Sequence, residues 1–305
     1  MKRLAMSASA VRKLRNTAYF LLITVAVVLV VVWWPVLVGI WQQQALTFVG
    51  AVIVMICGTF VQARNFLVFL DAEHPIRLLR FTRVWALSAL ANYVAPLQPG
   101  IAVRVAWLSR RGVSVPAGLL ATWRQLVASV WISLIGLAVG LLMTGVPRGR
   151  WPALALGAVW MVTFAMRKLW LRGLDRLQRP AWLARQKEVL HRAASGIKSR
   201  GLAGVVLQYV LGTLVLYWVY SRFGAPIGVG EALILACLVY ISSMVALLPG
   251  NFGVMEAIYM LGGHGFGLSV AQLAALALLL RVSSITSSGL LALSGLVVPS
   301  KTRPG

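Results

Sequence analysis

The chain has 305 residues, of which 60% are hydrophobic and 11% are charged, and its formal net charge is +23. Several apolar blocks approach or exceed about 20 residues, the length of a helix that spans a bilayer, which excludes an ordinary soluble domain. An excess of basic over acidic residues is typical of nucleic-acid-binding domains, but here the Lys and Arg residues lie mostly between the apolar blocks. We therefore predict an all-α polytopic membrane protein without a nucleic-acid partner.

The first apolar run extends from Thr17 to Ile40 behind a basic N-terminus. It is longer than the apolar core of a signal peptide and lacks a small-x-small cleavage site, so we interpret it as a retained first span. With this run, about six full spans are predicted within one domain, 1–305. They are 17–40, 45–63, 116–144, 151–166, 201–223 and 270–298.

The basic residues fall on one side of these spans. If the N-terminus is cytoplasmic, most Lys and Arg residues lie on that side, in 1–16, 64–83, 104–111, 167–200 and 301–303. The positive-inside rule then predicts a protein of the cytoplasmic, or inner, membrane with both termini in the cytoplasm.

The segment 167–200 is basic, with Leu and Trp residues between the charges. It is consistent with a segment that lies on the inner leaflet and contacts anionic lipids, and equally with an ordinary basic loop. Cys57 and Cys237 lie in apolar runs, and His191 and His264 have no partner at metal-ligand spacing. We predict neither a metal site nor a cofactor.

Two apolar stretches, 84–111 and 231–265, are interrupted by helix-breaking residues. The first has basic residues at both ends, which is typical of a segment that enters and leaves on the cytoplasmic side. The second carries no Lys or Arg and is predicted to begin and finish outside. The breaking residues are Pro96, Pro99 and Gly100 in the first stretch, and Pro249, Gly250 and Gly253 in the second.

The two interrupted stretches also share an order of features. Each has an apolar helix, a Pro-Gly break, a second helical piece and a Gly-x-Ser turn, followed by a long span that contains an arginine. We therefore predict two broken or re-entrant hairpins in an inverted repeat, with halves at about 81–144 and 231–298. Irregular backbone is tolerated at membrane depth only beside protein or a water-filled cavity. The restarted helices would direct their N-termini into that cavity, where they suit an anionic group.

Arg281 is the strongest candidate site residue, because it lies near the middle of 270–298 and an arginine there needs a partner. Glu256 falls in the first turn after the second break, where it is either a helix cap or the partner of an arginine, a proton or a cationic headgroup. Arg124 is shallower, and the small residues that follow it favour close helix packing. The predicted substrate-binding residues are Arg281, Glu256, Arg124, Arg104, Asn251 and Ser284.

The segments "NYVAPLQPGIAVRVAWLSRRGVSVPAGLLATWRQ" and "LPGNFGVMEAIYMLGGHGFGLSVAQLAALALLLR" resemble the signature regions of the lysylphosphatidylglycerol synthase transmembrane, or flippase-like, family. That family usually has Pro-x-x-Gly-Glu-x-x-Arg in the first region and a Glu-Arg pair in the next span. Here Ile101 and Trp123 stand where its carboxylates are expected. The resemblance implies movement of a lipid between leaflets, such as an aminoacylated phospholipid or a polyprenyl- or glycan-linked lipid.

The longest members of the family carry a soluble aminoacyl-transfer domain, and this chain ends at Gly305, so we expect no synthase activity. We predict a lipid translocator in which Arg281, Glu256, Arg124 and Arg104 line the path of a headgroup. The alternative is a non-transporting subunit that docks a lipid-modifying enzyme or a glycosyltransferase through 167–200. A membrane enzyme is a third possibility, but the sequence has no paired acid and base in its apolar segments.

Overall fold

The computed structural model describes residues 8–70, 76–94, 98–145, 199–244 and 249–297, although many side chains before Leu46 are not described. The predicted span 151–166, Pro96 and residues 167–198 lie outside this part of the chain. The described residues contain no strand and form one 3₁₀ turn, Pro249–Asn251, and eight α-helices. The helices are α1 (Ala8–Leu70), α2 (Leu78–Val94), α3 (Pro99–Ser109), α4 (Val115–Met143), α5 (Ser199–Arg222), α6 (Val229–Met244), α7 (Val254–His264) and α8 (Val270–Val297).

Four helical stretches within the described residues are long and apolar enough to cross a membrane. They are Gln42–Leu70, Val115–Met143, Ser199–Arg222 and Val270–Ser294. They correspond to four of the six predicted full spans and confirm an all-helical, multi-pass membrane protein.

Helix α1 covers the first two predicted spans without a loop between them. Only Gln44 departs from helical geometry, with φ −127° and ψ 22°, so the connection expected at 41–44 is a break of one residue. The chain divides near this point into two units, Met1–Ala45 and Leu46–Gly305. The first unit is helical from Ala8, and the candidate site lies within the second.

The predicted breaks lie where the sequence places them. Helix α2 ends at Val94 and α3 begins at Pro99, while α6 ends at Met244 and α7 begins at Val254 after the 3₁₀ turn. Pro99 occupies the first turn of α3, where its missing N–H is not needed.

The two halves repeat the same elements at nearly the same lengths. Helices α2, α3 and α4 have 17, 11 and 29 residues, and α6, α7 and α8 have 16, 11 and 28. Both Gly-x-Ser turns also have the same local structure. Gly112 and Gly267 have φ values of +83° and +77°, and a serine then caps the following helix in each half.

The small residues of α4 allow its backbone to approach α6 closely. A Cβ atom at Gly140 would lie 2.7 Å from Ile234 Cγ1 and 2.9 Å from the Gly230 carbonyl oxygen, and one at Gly136 would lie 2.5 Å from Cys237 Sγ. On the same face of α4, Ser133 is hydrogen-bonded to Tyr209 of α5. These small residues of α4 therefore form a packing surface, as their spacing in the sequence predicted.

We expect Gly136→Ala to lower the melting temperature of the detergent-purified protein, because the new methyl group overlaps Cys237 Sγ and overpacking costs about 1–3 kcal/mol. Adding Cys237→Ala removes the sulfur and should restore most of the loss. Gly289→Ala is the matched control, since a Cβ there meets no atom within 4 Å. Equal melting temperatures for Gly136→Ala with and without Cys237→Ala would contradict this packing.

Candidate functional site

The second break contains three residues in left-handed backbone conformations. Gly250, Asn251 and Gly253 have φ values of 57°, 56° and 83°. Glycine adopts this region without steric penalty, whereas an asparagine held there stores strain of about 1–3 kcal/mol. Surrounding contacts must therefore hold the segment in place.

Arg281, on α8, provides the strongest of these contacts. Its Nη1 donates a hydrogen bond of 2.6 Å to the Gly250 carbonyl oxygen. Its Nε donates to Glu256 Oε1 at 2.8 Å, and Nη2 donates to the same oxygen. The guanidinium also lies over the ring of Phe252, 4.4 Å from its centre. Arg281 is only 7% exposed, so the charge is neutralised inside the protein.

Glu256 combines the two roles that its sequence position left open. One carboxylate oxygen binds Arg281, and the other, Oε2, accepts a hydrogen bond of 2.8 Å from the Gly253 N–H. Gly253 is the N-cap of α7 and has no side chain with which to cap the helix, so the carboxylate satisfies this N–H instead.

The first break is joined to the second through the end of α6. Gln98 has a left-handed backbone (φ 54°, ψ 57°), and its side-chain amide donates to the Ser243 and Met244 carbonyl oxygens at 2.8 and 3.3 Å. From the second break, Asn251 Nδ2 donates to Ser242 Oγ at 3.0 Å. Gln98 and Asn251 are the only non-glycine residues with positive φ among the described residues, and both bind the last turn of α6.

Two cavities adjoin these breaks. One of about 160 Å³ lies between them, and its polar lining consists of Asn92, Tyr93, Gln98, Ser243, Asn251 and Ser284. The other, of about 210 Å³, is lined by Arg281, Ser284, Ser287 and Ser288 of α8 together with residues of α1, α2, α5, α6 and α7. Tyr93 and Ser284 line both cavities and are within hydrogen-bonding distance of each other, at 3.1 Å.

Arg104 and Arg124 line neither cavity. Arg104 is 8% exposed, stacks over Trp85 at 4.1 Å and donates to Ser88 Oγ at 3.1 Å. Arg124 is also buried, and it donates to the Phe69 carbonyl oxygen near the C-terminus of α1, where a cation is favoured by the helix dipole. Both arginines thus hold helices together outside the two cavities, Arg104 one turn after the first break and Arg124 at the end of α1.

The expectation that both restarted helices offer free N-termini to an anion is wrong for the first N–H groups of α3 and for the N-cap N–H of α7. The Gly253 N–H is bound by Glu256. At the other break, the Gly100 N–H donates to Asn92 Oδ1 at 2.8 Å, and the Ile101 N–H donates to the Gln98 carbonyl oxygen at 3.0 Å. Pro99 has no N–H to offer.

Ile101 and Trp123, where the family resemblance predicted carboxylates, also do not line the cavities. Trp123 is 54% exposed on the outside of α4, and Ile101 is half-buried.

Four of the six predicted substrate-binding residues therefore lie together: Arg281, Glu256, Asn251 and Ser284. The sequence reasoning missed Asn92, Tyr93 and Gln98, which make up most of the polar lining contributed by the first break. A signal for them exists, because an amide residue adjoins the Pro-Gly pair at each break, with Gln98 before Pro99 and Asn251 after Gly250.

Comparison with known proteins gives one family and no individual relative. No curated protein and no solved structure matches the chain significantly. The family described as "Lysylphosphatidylglycerol synthase TM region" matches residues 21–291, a range that includes both breaks and both cavities. This match indicates a membrane role related to lipids. The chain belongs to the family of the lysylphosphatidylglycerol synthase TM region.

Proposed function

We propose that this protein moves the headgroup of a membrane lipid between the leaflets of the cytoplasmic membrane. The observation that carries the proposal is the meeting of two broken helices at the end of α6, around adjoining cavities whose linings include polar side chains. Interrupted helices in repeated halves are a recurring feature of transporter binding sites. The family match adds the lipid as the class of substrate.

The cavities offer a lipid headgroup hydrogen-bond partners that it lacks in the hydrocarbon core of the bilayer. A polar group that loses its hydrogen bonds on entering an apolar medium costs several kcal/mol. Hydroxyl, amide and phenol groups of Ser284, Asn92 and Tyr93 face the cavities and can replace part of the lost hydration. In this proposal the acyl chains stay in the bilayer, and the protein acts as a conduit without a catalytic step.

The proposal is tested with the purified full chain in liposomes. Fluorescent lipids are inserted in both leaflets, and a membrane-impermeant reductant reports the fraction that reaches the outer leaflet. Faster exchange than in protein-free vesicles supports translocation. Exchange at the protein-free rate for every lipid offered would overturn it and favour the non-transporting subunit.

We expect Glu256→Gln and Arg281→Gln each to abolish lipid movement. Glu256→Gln leaves the buried Arg281 without its countercharge, which typically costs about 3–5 kcal/mol. Arg281→Gln leaves the partly exposed Glu256 unpaired and also frees the Gly250 carbonyl oxygen. The double variant should be more stable than Arg281→Gln alone, because no unpaired charge remains. Melting temperature and lipid exchange are measured on the same preparations.

Glu231→Gln is the matched control for this pair. Glu231 lies in the first turn of α6, lines neither cavity and should transport normally when neutralised. Wild-type exchange by folded Glu256→Gln protein would show that the pair has no part in transport.

The inverted repeat predicts that the two hairpins open on opposite sides of the membrane. In a background of Cys57→Ala and Cys237→Ala, Arg110→Cys should react with a membrane-impermeant maleimide only from the cytoplasm. Gly265→Cys should react only from outside. Both positions are exposed and neither requires a positive φ, so labelling is not limited by burial or strain. Reaction of both cysteines from one side would contradict the inverted arrangement.

A further inference from the structure

The charges at the cavities are already neutralised within the protein. Among the described residues that line either cavity, Arg281 is the only charged side chain, and all three of its donor nitrogens bind Glu256 or Gly250. Both oxygens of Glu256 are likewise engaged, one by Arg281 and one by the Gly253 N–H. The pair has no net charge, so an incoming cation or anion would have to compete with the partner that each group already has.

The backbone offers an anion little more. The first N–H groups of α3 and the N-cap N–H of α7 are bound by Asn92, Gln98 and Glu256. Part of the positive charge of a helix N-terminus resides on such N–H groups, and at α7 the Glu256 carboxylate in the first turn opposes the charge of the others. Both helix starts therefore attract a phosphate less than open N-termini would.

What remains at the cavity surfaces is neutral hydrogen-bonding capacity beside aromatic rings. The serine hydroxyls at 284, 287 and 288 form a row on α8, and the amide groups of Asn92, Gln98 and Asn251 line the smaller cavity together with Ser284. Each amide uses one of its two polar atoms in a hydrogen bond within the protein, and the other has no partner among the described residues. Aromatic rings and aliphatic side chains supply most of the rest of the larger lining, and the rings are those of Trp85, Tyr93, Tyr240 and Tyr259. Hydroxyls and amides both donate and accept hydrogen bonds, which matches the alternating donors and acceptors of a polyol, while ring faces pack against C–H groups.

We propose that these cavities take a headgroup that is uncharged and rich in hydroxyl groups, such as a sugar, rather than an aminoacyl cation or a bare phosphate. The inference rests on the proposed function and specifies its substrate class. It also distinguishes this chain from what the name of its family suggests, because a lysyl headgroup is cationic and neither cavity lining offers it a carboxylate among the described residues.

The test compares three fluorescent lipids with identical acyl chains: glucosyl diacylglycerol, phosphatidylglycerol and lysylphosphatidylglycerol. Exchange is measured in liposomes, and the melting-temperature shift is measured in detergent with each lipid added. We expect the glucosyl lipid to exchange at least about tenfold faster than either charged lipid and to give the largest shift. Preference for lysylphosphatidylglycerol or phosphatidylglycerol would overturn the inference while leaving translocation intact.

The two readouts separate the inference from the proposed function. A selective shift with the glucosyl lipid and no exchange of any lipid would support the headgroup class and overturn translocation. Equal shifts and equal exchange rates for the three lipids would overturn the headgroup class alone. No shift and no exchange would overturn both.

Asn92→Asp provides a change of specificity with little change of shape. Aspartate keeps the Oδ1 atom that accepts the Gly100 N–H, and at pH 8 it adds a negative charge to the smaller cavity. We expect the ratio of glucosyl to lysyl exchange to fall at least about tenfold, since charge-assisted hydrogen bonds favour the lysyl ammonium. Gln272→Glu is the matched control, because Gln272 caps α8 outside the cavities through its Oε1 atom. An unchanged ratio in folded Asn92→Asp protein would count against the inference.

Discussion

The hydrogen bond from Arg281 to the Gly250 carbonyl oxygen is the contact on which the site depends. A helix interrupted at membrane depth exposes carbonyl and N–H groups that lipid cannot satisfy. Arg281 binds such a carbonyl, and its charge is in turn balanced by Glu256, which binds the N–H at the start of the next helix. One ion pair thereby satisfies both sides of the break, and the segment between them can hold its left-handed residues.

The last turn of α6 joins the first break to the second. Its last carbonyl groups have no partner within the helix, and Gln98 of the other half binds two of them, while Asn251 binds Ser242 on the same turn. The breaks are therefore attached to one common turn. Any motion of one break relative to the end of α6 must therefore release one of these amide side chains, each of which sits on a backbone with positive φ.

The sequence predicts the helices and their breaks well, but it predicts fewer of the side-chain contacts between them. Apolar length and Pro-Gly pairs place the described spans and both breaks, because lipid restricts the choice to helices. The Glu256–Arg281 pair is also predictable, since few acids are available to a buried arginine. The roles of Gln98 and Asn92 cannot be predicted from the sequence, because they depend on which helix end lies opposite each break. The sequence makes Arg104 and Arg124 candidates for the same path as Arg281, yet packing directs them to Trp85 and to the end of α1.

The two halves have matching elements but hold their arginines in different ways. Arg281 is neutralised by a carboxylate, whereas Arg104 contacts no carboxylate among the described residues and lies over the face of Trp85, an arrangement worth about 2 kcal/mol when desolvated. A ring attracts a cation without carrying a charge of its own. The first half can therefore dispense with the carboxylate that its family has near Gly100, and its contribution to the smaller cavity is left to neutral amides and Tyr93. The lining at the meeting point of the breaks is uncharged among the described residues, because Arg281 and Glu256 bind each other beside it and Arg104 lies against Trp85.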